Sequence, residues 1–155
     1  GLDIQYLHGD STLKAELVRR SGQYNRLGTA PTYRAGVFGI EHNIYGIMDG
    51  GQDIVLLGEY ARDSRKGLAH SGLQNDLTVG GRWLWNDVDD TEVLGLITRD
   101  LNNGAQTMTV SIDRRISEEV TFEASARGTS RYASDPNSTA LQKDSAVIMA
   151  LTYRF

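Results

Sequence analysis

The chain of 155 residues contains no cysteine, only two prolines and no long apolar run. The lack of cysteine excludes a disulfide framework and thiolate-ligated metal sites. The longest apolar runs, at residues 54–57 and 146–151, fall far short of the roughly 20 residues that a membrane-spanning helix needs. The net charge of −4, with no basic stripe, predicts no nucleic-acid partner. Membrane β-strands are not excluded, because they need apolar side chains only at every second position.

The chain does contain apolar and polar residues that alternate with a period of two, which is typical of β-strands. In residues 76–86 the apolar positions are Leu77, Val79, Gly81, Trp83 and Trp85. Similar segments lie at residues 2–8, 12–20, 53–62, 108–113, 120–127 and 147–155. Residues 33–45 and 91–99 are less regular, and a change of parity near residues 36–39 predicts a β-bulge there. The pattern predicts about nine strands in total.

The connections between the predicted strands differ in length according to the end of the sheet at which they fall. Short connections fall at residues 9–10, 48–52, 86–90 and 117–119. Longer polar connections fall at residues 21–31, 64–74, 101–106 and 133–143. Outer-membrane barrels have tight periplasmic turns and longer extracellular loops, whereas a soluble sandwich or lipocalin-like barrel has no reason to sort its turns by end. The asymmetry favours a membrane barrel.

The aromatic residues favour the same fold. If the short turns are periplasmic, the rings near the periplasmic rim are Tyr6, Trp83, Trp85, Tyr153 and Phe155, and those near the outer rim are Tyr60 and Tyr132. Amphipathic rings prefer the level of the lipid headgroups; the alternative is that they pack a soluble core. The prediction is an all-β fold with residues 1–155 as a single domain: a transmembrane antiparallel up-and-down β-barrel with about 8–9 strands in this chain.

The last predicted strand resembles the C-terminal β-signal of outer-membrane barrels. Leu151, Tyr153 and Phe155 alternate with polar residues and finish on an aromatic residue. The resemblance implies that the barrel-assembly machinery of a Gram-negative bacterium recognises these three residues as an assembly signal.

Four short motifs carry a narrower resemblance: residues 58–63 (GEYARD), 74–77 (QNDL), 86–88 (NDV) and 91–94 (TEVL). Over roughly residues 35–155 the chain resembles the C-terminal part of a group of uncharacterised, porin-like outer-membrane proteins of proteobacteria. The resemblance implies a bacterial outer-membrane location and an ancestry in larger barrels. It assigns no catalytic residue.

The predicted strand count points to the same ancestry. If the final strand runs toward the periplasm, the first of nine strands runs the same way, whereas a complete bacterial barrel has an even number of strands and begins in the periplasm. We therefore expect the chain to be the C-terminal part of a larger barrel. The missing upstream strands would belong to a preceding segment or to a separate chain. A miscount by one strand is the alternative.

Charged residues are predicted to line the lumen of this barrel. The candidates are Glu59, Arg62, Arg82, Asp113, Arg115, Glu123, Arg127 and Arg154. One interpretation is a network of ion pairs, because each buried charge needs a partner or water. The other is a pore whose charged side chains select solutes, and the two can coexist.

The predicted function is a porin-like passive channel for small polar solutes; the alternative is a non-conducting barrel that anchors or scaffolds an envelope partner protein. No enzyme, cofactor or metal is predicted, because His8, His42 and His70 form no recognisable catalytic motif. The pair Asp89 and Asp90 is a turn signal before it is a calcium site. The expected partners are outer-membrane lipid, lipopolysaccharide and the barrel-assembly machinery.

Overall fold

The computed structural model describes residues 1–48, 51–70, 74–130 and 145–155, which form one sheet. Its strands are β1 (Leu2–His8), β2 (Ser11–Arg20), β3 (Tyr33–Ile47), β4 (Gln52–Asp63), β5 (Asn75–Leu84), β6 (Glu92–Asp100), β7 (Gln106–Arg115), β8 (Val120–Ser130) and β9 (Ala146–Tyr153). Each strand pairs antiparallel with its neighbour in the chain. The all-β, up-and-down antiparallel fold with about nine strands is therefore confirmed, and in the described ranges the sheet is open between β1 and β9.

The predicted bulge in β3 is misplaced. β3 keeps a regular register with β4 from Ala35 to Ile44, so the pairing is unbroken at residues 36–39. The register shifts instead between Ile44 and Ile47, where Gly46 has a φ of 67°. Glycine adopts a positive φ at little steric cost because it has no Cβ, so Gly46 absorbs the irregularity.

The connections keep most of the predicted asymmetry. One end of the sheet, the short-turn end, has the connections 9–10, 48–51, 85–91 and 116–119. The other, the long-loop end, has the connections 21–32, 64–74, 101–105 and 131–145. The 85–91 connection is longer than the 101–105 connection, so the sorting by length fails for that pair. A 3-10 helix spans Lys66–Leu68, and the described ranges contain no helix long and apolar enough to cross a membrane.

The two faces of the sheet differ in chemistry, because successive strand residues point to opposite sides and cross-strand partners share a side. One row of partners, on what we call the polar face, is Lys14, Gly39, Glu59, Thr78 and Thr98. A row on the opposite side, the apolar face, is Leu13, Ile40, Gly58, Val79 and Ile97. The alternation in the sequence therefore places polar and apolar residues on opposite surfaces of the sheet.

Few hydrophobic side chains of the described residues are buried; those that are belong to Tyr33, Ala61 and Ala69. The chain exposes 10445 Å², whereas a compact protein of 17.1 kDa exposes about 7,800 Å² by the usual scaling with mass. The described strands form a single layer. The apolar side chains that would pack a core in a two-layer domain point outward from this layer.

Two glycines lie where neighbouring strands approach closely. A Cβ on Gly80 would lie 2.0 Å from the carbonyl oxygen of Gly95. A Cβ on Gly36 would lie 2.6 Å from Leu17 Cδ2. Gly80 therefore allows β5 and β6 to pack where a side chain would meet rigid backbone, whereas the atom nearest to a Cβ on Gly36 is the end of the flexible Leu17 side chain, which can move.

Candidate functional site

A groove of about 760 Å³ runs along the polar face. Its lining includes Asp3, Lys14, Glu16, Glu59, Thr78 and Thr98. The strands bring these side chains together because all six residues lie on the polar face of the sheet. Thr78 Oγ1 lies 2.9 Å from Thr98 Oγ1, so the two hydroxyl groups hydrogen-bond across β5 and β6. The groove offers charged and hydroxyl groups to water and to polar solutes.

Negative charge dominates the groove. Lys14 Nζ lies 2.6 Å from Glu41 Oε1, so this lysine is already paired. Asp3, Glu16 and Glu59 form no ion pair within the described part of the chain. An ionised carboxylate without a partner keeps its hydration, because removing it from water is costly.

Two of the predicted lumen arginines are held by acids from adjacent elements. Arg82 Nε lies 3.0 Å from Glu92 Oε1. Arg115 Nη2 lies 2.8 Å from Asp90 Oδ2 and donates a hydrogen bond of 2.5 Å to the Val88 carbonyl oxygen. Both arginine side chains are 45% exposed, so each pair stabilises the fold by at most about 1 kcal/mol.

The 85–91 connection is a compact turn attached to β7. The Thr91 N–H and Oγ1–H each donate a 2.8 Å hydrogen bond to Asp87, and these bonds lower the pKa of Asp87 below its ordinary value. Asp89 Oδ2 lies 2.6 Å from Arg114 Nη2. The predicted turn at Asp89 and Asp90 is confirmed, and both carboxylates bind arginine side chains.

Four of the remaining predicted lumen residues have the parity of the polar face. Asp113 and Glu123 are cross-strand partners, and Arg127 lies opposite Thr109. Arg154 follows β9 in the same parity as Thr152 and donates its backbone N–H to the Glu119 carbonyl oxygen at 2.8 Å.

Arg62, also predicted to line the lumen, lies on the opposite face of the sheet from Glu59. It is the cross-strand partner of Gly36 and Asn75 and has the parity of Tyr60. This parity places Arg62 on the apolar face, at the long-loop end, where its side chain is exposed.

A buried cluster at the long-loop end was not predicted from the sequence. Arg65 binds Asp63 through Nη2 at 2.6 Å and through Nε at 3.0 Å, and the two side chains are only 7% and 5% exposed. The hydrogen bonds to Asp63 raise the pKa of Arg65 above its ordinary value. The guanidinium carbon lies 3.5 Å from the centroid of the Tyr33 ring, a cation–π contact.

This cluster holds two connections over one end of the polar face. Tyr33 and Asp63 both have the parity of that face. The Tyr33 hydroxyl donates a hydrogen bond to Gln23 Oε1, and the Arg26 N–H donates one to the Leu68 carbonyl oxygen at 3.1 Å. Residues 21–32 and 64–70 therefore contact each other at the long-loop end of the sheet.

Aromatic rings gather on the apolar face at the short-turn end. The stacked pairs are Tyr6 with His8, Trp83 with Trp85, and Tyr153 with Phe155, with ring centroids 6.2, 4.3 and 6.4 Å apart. These rings lie at the end at which the sequence predicts them. Leu151, Tyr153 and Phe155 of the predicted assembly signal are all exposed. Tyr132, predicted at the opposite rim, lies outside the described residues.

The histidines do not form a common site. Ser11 Oγ lies 2.8 Å from His42 Nδ1, and His70 is exposed in the 64–74 connection. Ser71, its neighbour in the sequence, lies outside the described residues. In the described ranges no group of three or more His, Asp or Glu side chains could hold a metal ion.

Comparison of the chain with protein-family models, with curated proteins and with solved structures gives no match.

Proposed function

We propose that this chain belongs to a β-barrel of the bacterial outer membrane, with the apolar face toward lipid. The observation that carries the proposal is the exposure of that face: Ile4, Ile40, Val79 and Met108 are 47–52% exposed in the chain alone. Fully burying an exposed side chain of this kind is favourable by about 1.5–3 kcal/mol, so covering its remaining exposed half gains roughly half of that. Lipid hydrocarbon would cover the whole face, and the aromatic pairs would lie at the level of the headgroups.

The groove supports a porin-like passive channel for small polar solutes. Asp3, Glu16 and Glu59 face it without ion-pair partners in the described ranges. Charged side chains that line an aqueous lumen set its ion preference. In this proposal the three carboxylates attract cations and small polar solutes into the lumen.

A non-conducting barrel that anchors an envelope partner protein is the second candidate. The ion pairs of Arg82 with Glu92 and of Arg115 with Asp90 favour it, because paired side chains can fill a lumen. Both arginine side chains are 45% exposed. Space therefore remains beside them on the polar face, which favours the channel.

The open edges support completion of the barrel by further strands. β1 and β9 run in the same direction because seven strands of alternating direction separate them. A closed sheet with antiparallel pairing throughout then needs an odd number of further strands between β9 and β1. We propose that upstream strands of the same barrel supply them, and that outer-membrane lipid, lipopolysaccharide and the barrel-assembly machinery are partners of the assembled protein.

Conductance of the complete barrel in planar lipid bilayers tests the channel. We expect steady ionic conductance with a cation preference, which decreases when Asp3→Asn, Glu16→Gln and Glu59→Gln are combined. Glu118→Gln, in the exposed 116–119 turn, is the matched control and should leave the preference unchanged. A silent bilayer with correctly folded protein would reject the channel and favour the scaffold.

A further inference from the structure

The apolar face carries a set of arginines at the long-loop end, which we call the arginine rim: Arg19, Arg34, Arg62 and Arg99. Each side chain is exposed. Arg19 lies two positions beyond Leu17, Arg62 two beyond Tyr60 and Arg99 two beyond Ile97 on the same face. The rim therefore lies immediately beyond the apolar side chains.

Three of these arginines are close neighbours. Arg19 and Arg34 are direct cross-strand partners in β2 and β3. Arg62 lies on β4 opposite Gly36, the next position of the same face after Arg34. Adjacent strands are about 4.8 Å apart, so the three guanidinium groups can reach one common ligand. Like charges directly opposite each other destabilise a strand pair unless something offsets them.

The described part of the chain supplies no carboxylate to offset this charge. Every Asp and Glu of the nine strands has the parity of the polar face, and the acidic side chains that do pair bind other cations. Arg114, the apolar-face arginine at the short-turn end, is paired with Asp89 at 2.6 Å. Among the described residues, the outward arginine at the short-turn end is thus neutralised, whereas those of the arginine rim have no ion pair.

We propose that the arginine rim binds phosphate groups of anionic lipid in the outer leaflet, an inference that rests on the proposed membrane location. Charge complementarity selects the ligand, because the rim offers only cations. The planar guanidinium fork matches phosphate oxygens bidentately. The apolar stems of the arginines lie against the apolar face while the charged heads reach the headgroup level. The acyl chains of the same lipid would cover the side chains around Leu17 and Tyr60.

Native mass spectrometry of the complete protein in detergent tests this proposal, with diphosphoryl lipid A as the probe. We expect the wild type to retain lipid A and the triple variant Arg19→Gln, Arg34→Gln, Arg62→Gln to bind it roughly a hundredfold more weakly. Arg20→Gln is the matched control, because Arg20 is the next residue of β2 and points to the opposite face. Its affinity should equal that of the wild type.

Equal retention of lipid A by the triple variant would overturn the proposal, and so would equal binding of inorganic phosphate, which would indicate a site for free anions. If the triple variant does not fold, the corresponding lysine variant keeps the charge and loses the bidentate geometry. Its affinity should then be intermediate, and an unchanged affinity would also overturn the proposed geometry. Lipid retention and conductance are separate measurements. A wild-type protein that conducts but does not retain lipid A would reject the arginine rim and leave the proposed channel intact.

Discussion

The same ion-pair distance has different energetic weight at two places in this chain. Arg65 and Arg114 each lie 2.6 Å from an aspartate oxygen, of Asp63 and Asp89 respectively. The first pair is 7% and 5% exposed, the second 47% and 36%. Water screens the exposed pair, whereas a charge that loses its partner in the buried pair has nothing to replace it. Burial rather than distance decides which pair the fold depends on.

Arg65→Gln should therefore lower the free energy of unfolding by about 3–5 kcal/mol, because it leaves the Asp63 carboxylate buried without a counter-charge. Arg114→Gln removes an equally short pair at the surface and should cost at most about 1 kcal/mol. Urea unfolding of both variants in the same detergent measures the difference. Similar losses in the two variants would show that the cluster around Tyr33 is not a stabilising element.

Sequence reasoning reaches local side-chain pairs and misses the ones that depend on pairing of strands. Asp89 and Asp90 identify a turn because their effect on the backbone is local. Arg65 and Asp63 are also close in sequence, but their burial depends on Tyr33, which reaches them only after β3 pairs with β4. The contribution of this cluster was therefore visible only in the structure.

At the scale of single strands, the alternation of apolar and polar residues predicts the elements well, because successive strand residues face opposite sides of the sheet. It is ambiguous in β3, where Val37 on the polar face stands beside Phe38 on the apolar face. Glycines at positions 36 and 39 add no side chain to resolve the parity. The bulge at Gly46 could not be placed from the pattern, because its position follows from the register with β4.

Close strand contact predicts a difference between two glycines of adjacent strands. Gly80→Ala should destabilise the protein by about 1–3 kcal/mol, because its Cβ would meet the rigid Gly95 backbone oxygen at 2.0 Å. Gly95→Ala is the control, since a Cβ there meets no atom within 4 Å. Unfolding midpoints in urea compare the two. A Gly95→Ala variant that loses as much stability as Gly80→Ala would contradict the packing argument.

The proposed lipid around the apolar face predicts that an introduced arginine destabilises the protein more on this face than on the polar face. Val79 is 48% exposed in the chain alone, so Val79→Arg should cost little if water covers this face. If lipid covers it, the same substitution should cost about 2–4 kcal/mol near mid-membrane. Ser111→Arg, on the polar face, should be nearly neutral in either case. Reversible unfolding from phospholipid vesicles measures both, and equal, small effects would reject a lipid-facing surface.

At the scale of the whole molecule, the sheet formed by the described residues is open at the two edge strands, β1 and β9. Val147, Met149 and Leu151 of β9 are 69–71% exposed, compared with 48% for Val79 in the middle of the sheet. The edge residues have a neighbouring strand on one side only. Unpaired edges expose backbone N–H and C=O groups, which a membrane does not tolerate. The proposed location and the open edges are therefore compatible only if further strands close the barrel.

Pairs of introduced cysteines test how the sheet is closed, and the chain has no native cysteine to interfere. Gln5→Cys with Lys14→Cys joins direct partners of β1 and β2 and should form a disulfide on oxidation. Gln5→Cys with Ile148→Cys, or with Ala150→Cys, places both thiols on polar-face positions of the two edge strands.

If an odd number of strands lies between β9 and β1, the edge strands are at least two strand spacings apart, about 9–10 Å. That separation exceeds the roughly 7 Å between Cα atoms that a disulfide can span, so neither edge pair should cross-link within one chain. The measurement is the mobility of the oxidised, intact protein in outer membranes on a denaturing gel, with and without reductant. An intramolecular disulfide between the edge strands would mean that β1 and β9 meet in a parallel seam. The nine strands would then close the barrel alone, and the proposal of additional strands would be wrong.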